Sequence, residues 1–361
     1  MIIKGVLLFF LCVSVYNILL HKNGIQNSFA WIILAFIFGY RTIEPVSGLK
    51  LHPIEIMLYA TIFRILLFNS IRYYKMPNSI LFISLVFVLY FIIDVFTRYN
   101  PIALLEFKNA ILLTGIFFIS LHIQYNKTYL ISILKLYLFS VTMISILGIC
   151  EFLFPTLISS IFEYQNQDSS IYNDQIFYRV AFLFWGSHLA ANLIPPAFPI
   201  LLLLKAEGSE LLKNNYSMTL IIIINLFAIY LSGNRISWLI LTIYLVLTLF
   251  VYGNKIIPYV KTYAVIITIG FVLYIYSQPV EGRYISTFKA LSGQIDERYD
   301  SSGAARMGRI KIALNSIINH PIGTGWGSQG WVHSDILQIA SSVGILAGFI
   351  LLFGPILLLI K

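Results

Sequence analysis

The sequence predicts an all-α membrane protein, a polytopic bundle of about 10–12 transmembrane helices with one long outward loop. Three observations predict it. Hydrophobic residues make up 59% of the 361 positions and charged residues only 11%, whereas a soluble domain carries about a quarter charged residues. Mean hydropathy is +0.86. Apolar runs recur along most of the chain, each near the ~20 residues that cross a hydrocarbon core. The runs are apolar on every face, so the alternation of a membrane β-barrel is absent.

Taken in order, spans are expected near 4–20, 28–41, 54–70, 79–96, 102–122, 129–154, 181–204, 217–232, 236–252, 259–277 and 334–360. The first run is followed by no small-residue cleavage site and by further spans, so it reads as retained. Pro195, Pro196 and Pro199 interrupt the span at 181–204, which should be kinked or broken there. Two loops stand out, 155–180 and 278–333, and the second far exceeds the usual 2–8 residues between packed helices. The chain divides into N-terminal transmembrane helices, 1–154, and a second membrane domain, 155–361, which includes both long loops.

Sidedness follows from charge. The loops near 71–78 (Arg72, Lys75), 205–216 (Lys205, Lys213) and 253–261 (Lys255, Lys261) are basic, which places them in the cytoplasm. Alternation then puts 155–180, 233–235 and 278–333 together on the outward side. It also puts the N-terminus outside unless the short run at 28–41 is re-entrant. The net charge of +9 follows this loop pattern, and no basic block or nucleic-acid motif accompanies it. Cys12 and Cys150 sit in apolar runs without a CxxC or a paired histidine, so neither metal nor disulfide is indicated.

Each outward loop carries arginine. Arg179 ends the first, Arg235 lies in the turn Leu231-Ser232-Gly233-Asn234-Arg235, and Arg306 and Arg309 precede a helical pattern and His320-Pro321-Ile322-Gly323-Thr324-Gly325. His333 follows at the entrance to the last span, with Ser334 as its N-cap. An arginine beside a span end has an ordinary reading as an interfacial anchor, a histidine near a helix start is often structural, and the glycines of 323–330 can simply shape turns. Together they suggest more, because they gather on one side against the positive-inside trend. Guanidinium clamps phosphate with a planar, permanently charged fork. Histidine can take a proton from a hydroxyl near neutral pH. Asp296, Glu297 and Asp300 read as a solvated loop face rather than metal ligands. Within the spans, Arg64, Asp94, Glu106, Lys108 and Glu151 need partners or a cavity; Arg64 with Asp94 or Glu106 is the expected structural pair.

The C-terminal half resembles the bacterial O-antigen ligases and O-antigen polymerases (Wzy-type, Wzy_C-like). Four pieces carry the resemblance over roughly 179–350. They are Arg179 through Leu193, the Leu231–Arg235 turn, Arg306 with the later His-Pro-x-Gly-x-Gly block, and His333-Ser334-Asp335-Ile336-Leu337 with Gly344 and Gly348. Phe182, Asn234 and Ile310 depart from the family pattern. Family members generally continue beyond a single span after the long loop, which implies a shortened chain.

The resemblance implies a GT-C-like glycosyltransferase of the bacterial inner membrane. It would act at the periplasmic face on undecaprenyl-pyrophosphate-linked glycan, without metal or other cofactor. Arg179, Arg235, Arg306 and Arg309 would bind the pyrophosphate, with Arg306 and His333 catalytic and His333 the base. It also implies a chain-length regulator as partner and no nucleic acid. A polymerase of lipid-linked repeats is the first expectation, a ligase to lipid A-core the second and a flippase the third.

Overall fold

A computed structural model describes residues 2–38, 43–46, 49–67, 126–162, 169–172, 175–178, 180, 191–209, 214–234, 237–250, 301–325, 335–345 and a few isolated positions. For residues 2–4, 43–46, 49, 50, 162, 169–172, 175–178, 301–307, 335, 336 and 339 it describes the backbone alone. The chain divides into two compact units. One comprises Met1–Ile71 and His122–Pro279, the other Arg72–Leu121 and Val280–Lys361.

The first unit is built from α1 (Ile2–Leu20), α2 (Gly24–Ala35), α3 (Pro53–Leu67), α4 (Lys127–Leu153), α5 (Pro155–Phe162), α6 (Ala197–Ala206), α7 (Asn215–Ser232) and α8 (Ser237–Phe250). Two antiparallel hairpins sit in its loops: β1 (Ile43–Val46) with β2 (Leu49–Leu51), and β3 (Ser169–Tyr172) with β4 (Gln175–Tyr178). The β-branched and aromatic content of these stretches favours extended pairing. The expected spans near 79–96, 102–122 and 259–277 lie outside the described residues, apart from isolated positions.

Among the described residues, α4 and α7 are long and apolar enough to cross a membrane. The shorter Gly5–Leu20, Gly24–Phe38, Ala191–Ala206 and Ser237–Phe250 are apolar as well. Large apolar side chains such as Phe9, Phe63, Phe139 and Phe250 face outward. In water so much exposed apolar surface would be a liability; against lipid it meets its own solvent. The chain is a membrane protein.

One end of this unit is basic. The Lys127 ammonium pairs with the Glu207 carboxylate at 2.6 Å, and Lys205 donates to Asn215 Oδ1 at 3.0 Å. The Tyr129 hydroxyl donates to Gln26 O at 2.7 Å. Arg64 donates to Ile18 O and Lys22 O, so it caps the C-terminal carbonyls of α1 where a cation suits the helix dipole. A Cβ on Gly24 would overlap that guanidinium and Ile18 O, so the turn needs glycine there. The carboxylates expected as partners of Arg64, Asp94 and Glu106, lie outside the described residues.

These contacts bring the C-terminal ends of α1, α3 and α6 together with the N-terminal ends of α2, α4 and α7. Along the chain, α1, α3 and α6 therefore run towards this end, and α2, α4 and α7 run away from it. Asn126 and Asn214 cap α4 and α7 at this end by accepting from Tyr129 N and Tyr216 N. At the start of α3, Pro53 occupies the first helical position and Glu55 accepts from His52 N, which caps the helix start.

The prolines act as expected. The chain is helical at 191–193, breaks at 194–196 and resumes as α6. Pro195 and Pro196 cannot donate, and Ala197 N turns to Ile194 O at 3.0 Å. Leu193 O, left without its usual donor, accepts instead from the Tyr137 hydroxyl of α4 at 2.7 Å. Between α4 and α7, buried Asn225 donates to Ile221 O and Thr142 Oγ1 and accepts from Ser145 Oγ. Lipid gives helices no hydrophobic reason to associate, so such polar ties fix the register.

The second unit contains α9 (Ser301–Asn319) and α10 (Asp335–Val343), which pack on each other. Ala313 and Ser316 are buried on α9, as is Ala340 on α10.

Candidate functional site

Two of the segments expected to face outward meet at the end of the first unit opposite the basic one. Strand β4 leads through position 179 to Val180, whose N–H donates to Leu231 O at 3.4 Å, at the C-terminal end of α7. There Gly233 closes the helix in the left-handed region (φ 60°) and donates to Tyr230 O, a turn open to glycine at little cost. Ser232 and Asn234 tie the turn, Asn234 N donating to Ser232 Oγ at 3.1 Å.

A second link joins the same two segments. Asn192 Oδ1 accepts from Asn234 Nδ2 at 3.3 Å and from Ser237 Oγ at 3.4 Å. The sequences flanking Arg179 and Arg235 are thus held at one end of one unit, by main chain at Val180 and by side chains at Asn192. Arg179 and Arg235 themselves lie outside the described residues. Asn192 and Ser237 are residues the motif reading passed over; an isolated asparagine in an apolar run is the signal that points to the first.

Arg306 and Arg309 belong to the second unit. The helix carrying them begins at Ser301, five residues before Arg306, so both stand on α9 and not in a loop before it. Positions three apart share a helix face. The Arg309 side chain is exposed. His333 and Ser334 lie outside the described residues, immediately before α10.

The His320–Gly325 block is placed in full. Helix α9 ends as His320 N donates to Ser316 O, and Gly323 N turns back to His320 O at 2.8 Å. Thr324 N then donates to Ser341 O at 3.1 Å, Gly325 N to Ser342 O at 2.9 Å, and Ile345 N to Pro321 O at 3.0 Å. Residues 341–345 are where α10 stops: Gly344 has φ +114°, and Gly348 N donates to Gly344 O beyond it. The last apolar run, expected as one span over 334–360, is therefore broken at Gly344.

The carbonyls that the break exposes take their donors from the glycine-containing loop, which lets irregular backbone persist at membrane depth. A Cβ on Gly323 would stand 2.5 Å from Ser342 O, and one on Gly344 2.9 Å from Ile322 O. Because the N–H groups of Gly323, Thr324 and Gly325 all have carbonyl acceptors, this loop is no phosphate cradle of the helix N-terminal kind.

No curated protein and no solved structure matches the chain. A family match exists for its C-terminal part, spanning α7 from residue 220, the Gly233 turn, α8, α9 and the latched break at Gly344; Arg235, Arg306, Arg309 and His333 fall inside it and Arg179 outside. Residues 220–352 match the Wzy_C family model, described as O-antigen ligase.

Proposed function

We propose that the protein is an O-antigen polymerase that joins undecaprenyl-pyrophosphate-linked oligosaccharide repeats at the periplasmic face of the bacterial inner membrane. The family match over 220–352 carries this reading. Residues 1–154 form the N-terminal transmembrane part, and 155–361 the ligase- or polymerase-like domain. A ligase that moves the finished chain to lipid A-core uses the same donor chemistry and is the second reading, favoured by the family's own description.

In either case an acceptor hydroxyl attacks the anomeric carbon, the bond from that carbon to the pyrophosphate oxygen breaks, and the polyprenyl pyrophosphate leaves. His333 takes the hydroxyl proton. Arg179, Arg235, Arg306 and Arg309 bind the pyrophosphate and meet its developing charge, the main electrostatic demand of the step. Arginines serve in place of a divalent cation. A chain-length regulator is the partner this activity calls for.

Deleting the gene and resolving surface lipopolysaccharide on a gel tests the reading. Loss of the ladder with one repeat left on core identifies a polymerase. Loss of all O-antigen while long lipid-linked chains accumulate identifies a ligase. Single lipid-linked repeats held on the cytoplasmic side overturn both in favour of a flippase. Within the site, Arg306→Lys should lose most activity although its charge is kept, because the bidentate fork is lost. Normal product from both Arg306→Lys and His333→Ala overturns the assignment of these residues.

A further inference from the structure

We infer that α9 lies in the plane of the membrane surface, its two apolar flanks at the acyl boundary of the bilayer and Lys311 among anionic lipid headgroups. This placement depends on the chain being a membrane protein and on no step of the proposed transferase reaction.

Helix α9 has three kinds of surface. Ala313 and Ser316 are buried, on the side that packs on α10, and small residues there let two backbones approach closely. Across the helix from them, Lys311, Asn315 and Asn319 are exposed. They recur every fourth residue, so they form one polar row. Apolar side chains stand open on both flanks of that row. Ile312 is 61% exposed on one flank, and Leu314 and Ile318 are 44% and 75% exposed on the other. Ile322, in the turn that closes the helix, is 79% exposed. A single exposed apolar side chain is ordinary, but a set of them along one helix marks a surface that something covers.

Lipid is the occupant that suits this division. A helix in the membrane plane turns its polar row to water and sinks its flanks between the headgroups and the first methylenes. The charge agrees. From Ser301 to Ser334 the chain carries Arg306, Arg309 and Lys311 and no aspartate or glutamate, which suits anionic headgroups. The Lys311 stem can follow the Leu314–Ile318 flank while its ammonium reaches a phosphate. At about 28 Å the helix is long enough to cross the hydrocarbon core, but crossing would set exposed Lys311, Asn315 and Asn319 in lipid at high cost.

The test uses the full-length protein in vesicles, with Cys12 and Cys150 replaced by alanine and a bimane label on one introduced cysteine at a time. Phosphatidylcholine brominated on its acyl chains should quench the label in Ile312→Cys, Leu314→Cys and Ile318→Cys at least about threefold more than in Asn315→Cys or Asn319→Cys. Aqueous iodide should give the reverse order. Iodide reaching all five positions alike overturns the inference in favour of a helix wholly in water. Neither quencher reaching 314 and 318 overturns it in favour of a protein partner or a second copy. Bromine reaching 315 and 319 as strongly as 318 overturns it in favour of a spanning helix. Adding phosphatidylglycerol should raise bromine quenching at 318 about twofold, and Lys311→Glu should abolish that rise; no rise overturns the headgroup contact. The wild type gives a check free of substitutions. A photoactivatable diazirine in the acyl chain should leave adducts on Leu314, Ile318 and Ile322 and none on Asn315 or Asn319, and a wild type without adducts over 312–322 overturns the placement.

Discussion

Two apolar stretches of this protein are broken, one at Pro195–Pro196 and one at Gly344, and they are mended in opposite ways. At the prolines, the orphaned Leu193 carbonyl is satisfied by a side chain, the Tyr137 hydroxyl of a neighbouring helix. At the glycine, the carbonyls of Ser341 and Ser342 are satisfied by main chain from the 320–325 loop. The lesson concerns what each joint can feel. A break mended by a side chain depends on that side chain and tolerates changes in its own stretch. A break mended by backbone is indifferent to most side chains and intolerant of a single Cβ.

The sharpest way to break the comparison is Gly344→Ala. With φ at +114° and Ile322 O 2.9 Å from the new Cβ, strain and overlap together should cost about 3 kcal/mol, read as a lower melting temperature in detergent. Tyr137→Phe comes next. It strands the Leu193 carbonyl while keeping the ring, so a loss of about 2 kcal/mol is expected. Little or no loss would mean that water or a neighbouring donor serves that carbonyl. Smallest is Thr324→Val, which deletes a hydroxyl bond but keeps the N–H; at most about 1 kcal/mol should disappear. A larger loss there than in Tyr137→Phe would reverse the distinction between the two joints.

The helices near 4–20, 54–70, 129–154, 217–232 and 236–252 were legible because long apolar runs favour helices that satisfy their own backbone. The proline break was legible for the same reason, since proline removes a donor whatever its surroundings. The break at Gly344 was not. Its cause is a set of main-chain bonds to a loop some twenty residues earlier, and main chain leaves no trace in a sequence beyond the glycines it needs. Those glycines were visible at 323 and 325, but shaping a turn and accommodating a close approach look alike on paper.

Arg64 shows the converse. Its charge within an apolar run announced a partner, and among the described residues it meets the carbonyl end of α1, which carries no residue signature. At the candidate site, the resemblance singled out arginines and a histidine, whereas the described packing adds Asn192 and Ser237. Their types are common, so only their placement distinguishes them.

Asn225 has a mechanical consequence. Its amide engages Thr142 and Ser145 of α4 at once, one helical turn of the partner gripped from a single position on α7. Sliding α7 by one residue would move it about 1.5 Å and unseat both contacts within lipid, where no water can replace them. Axial slippage is closed to this pair, while bending and rotation remain open. Any travel between helices must be taken up elsewhere, with α4 and α7 as the fixed rail.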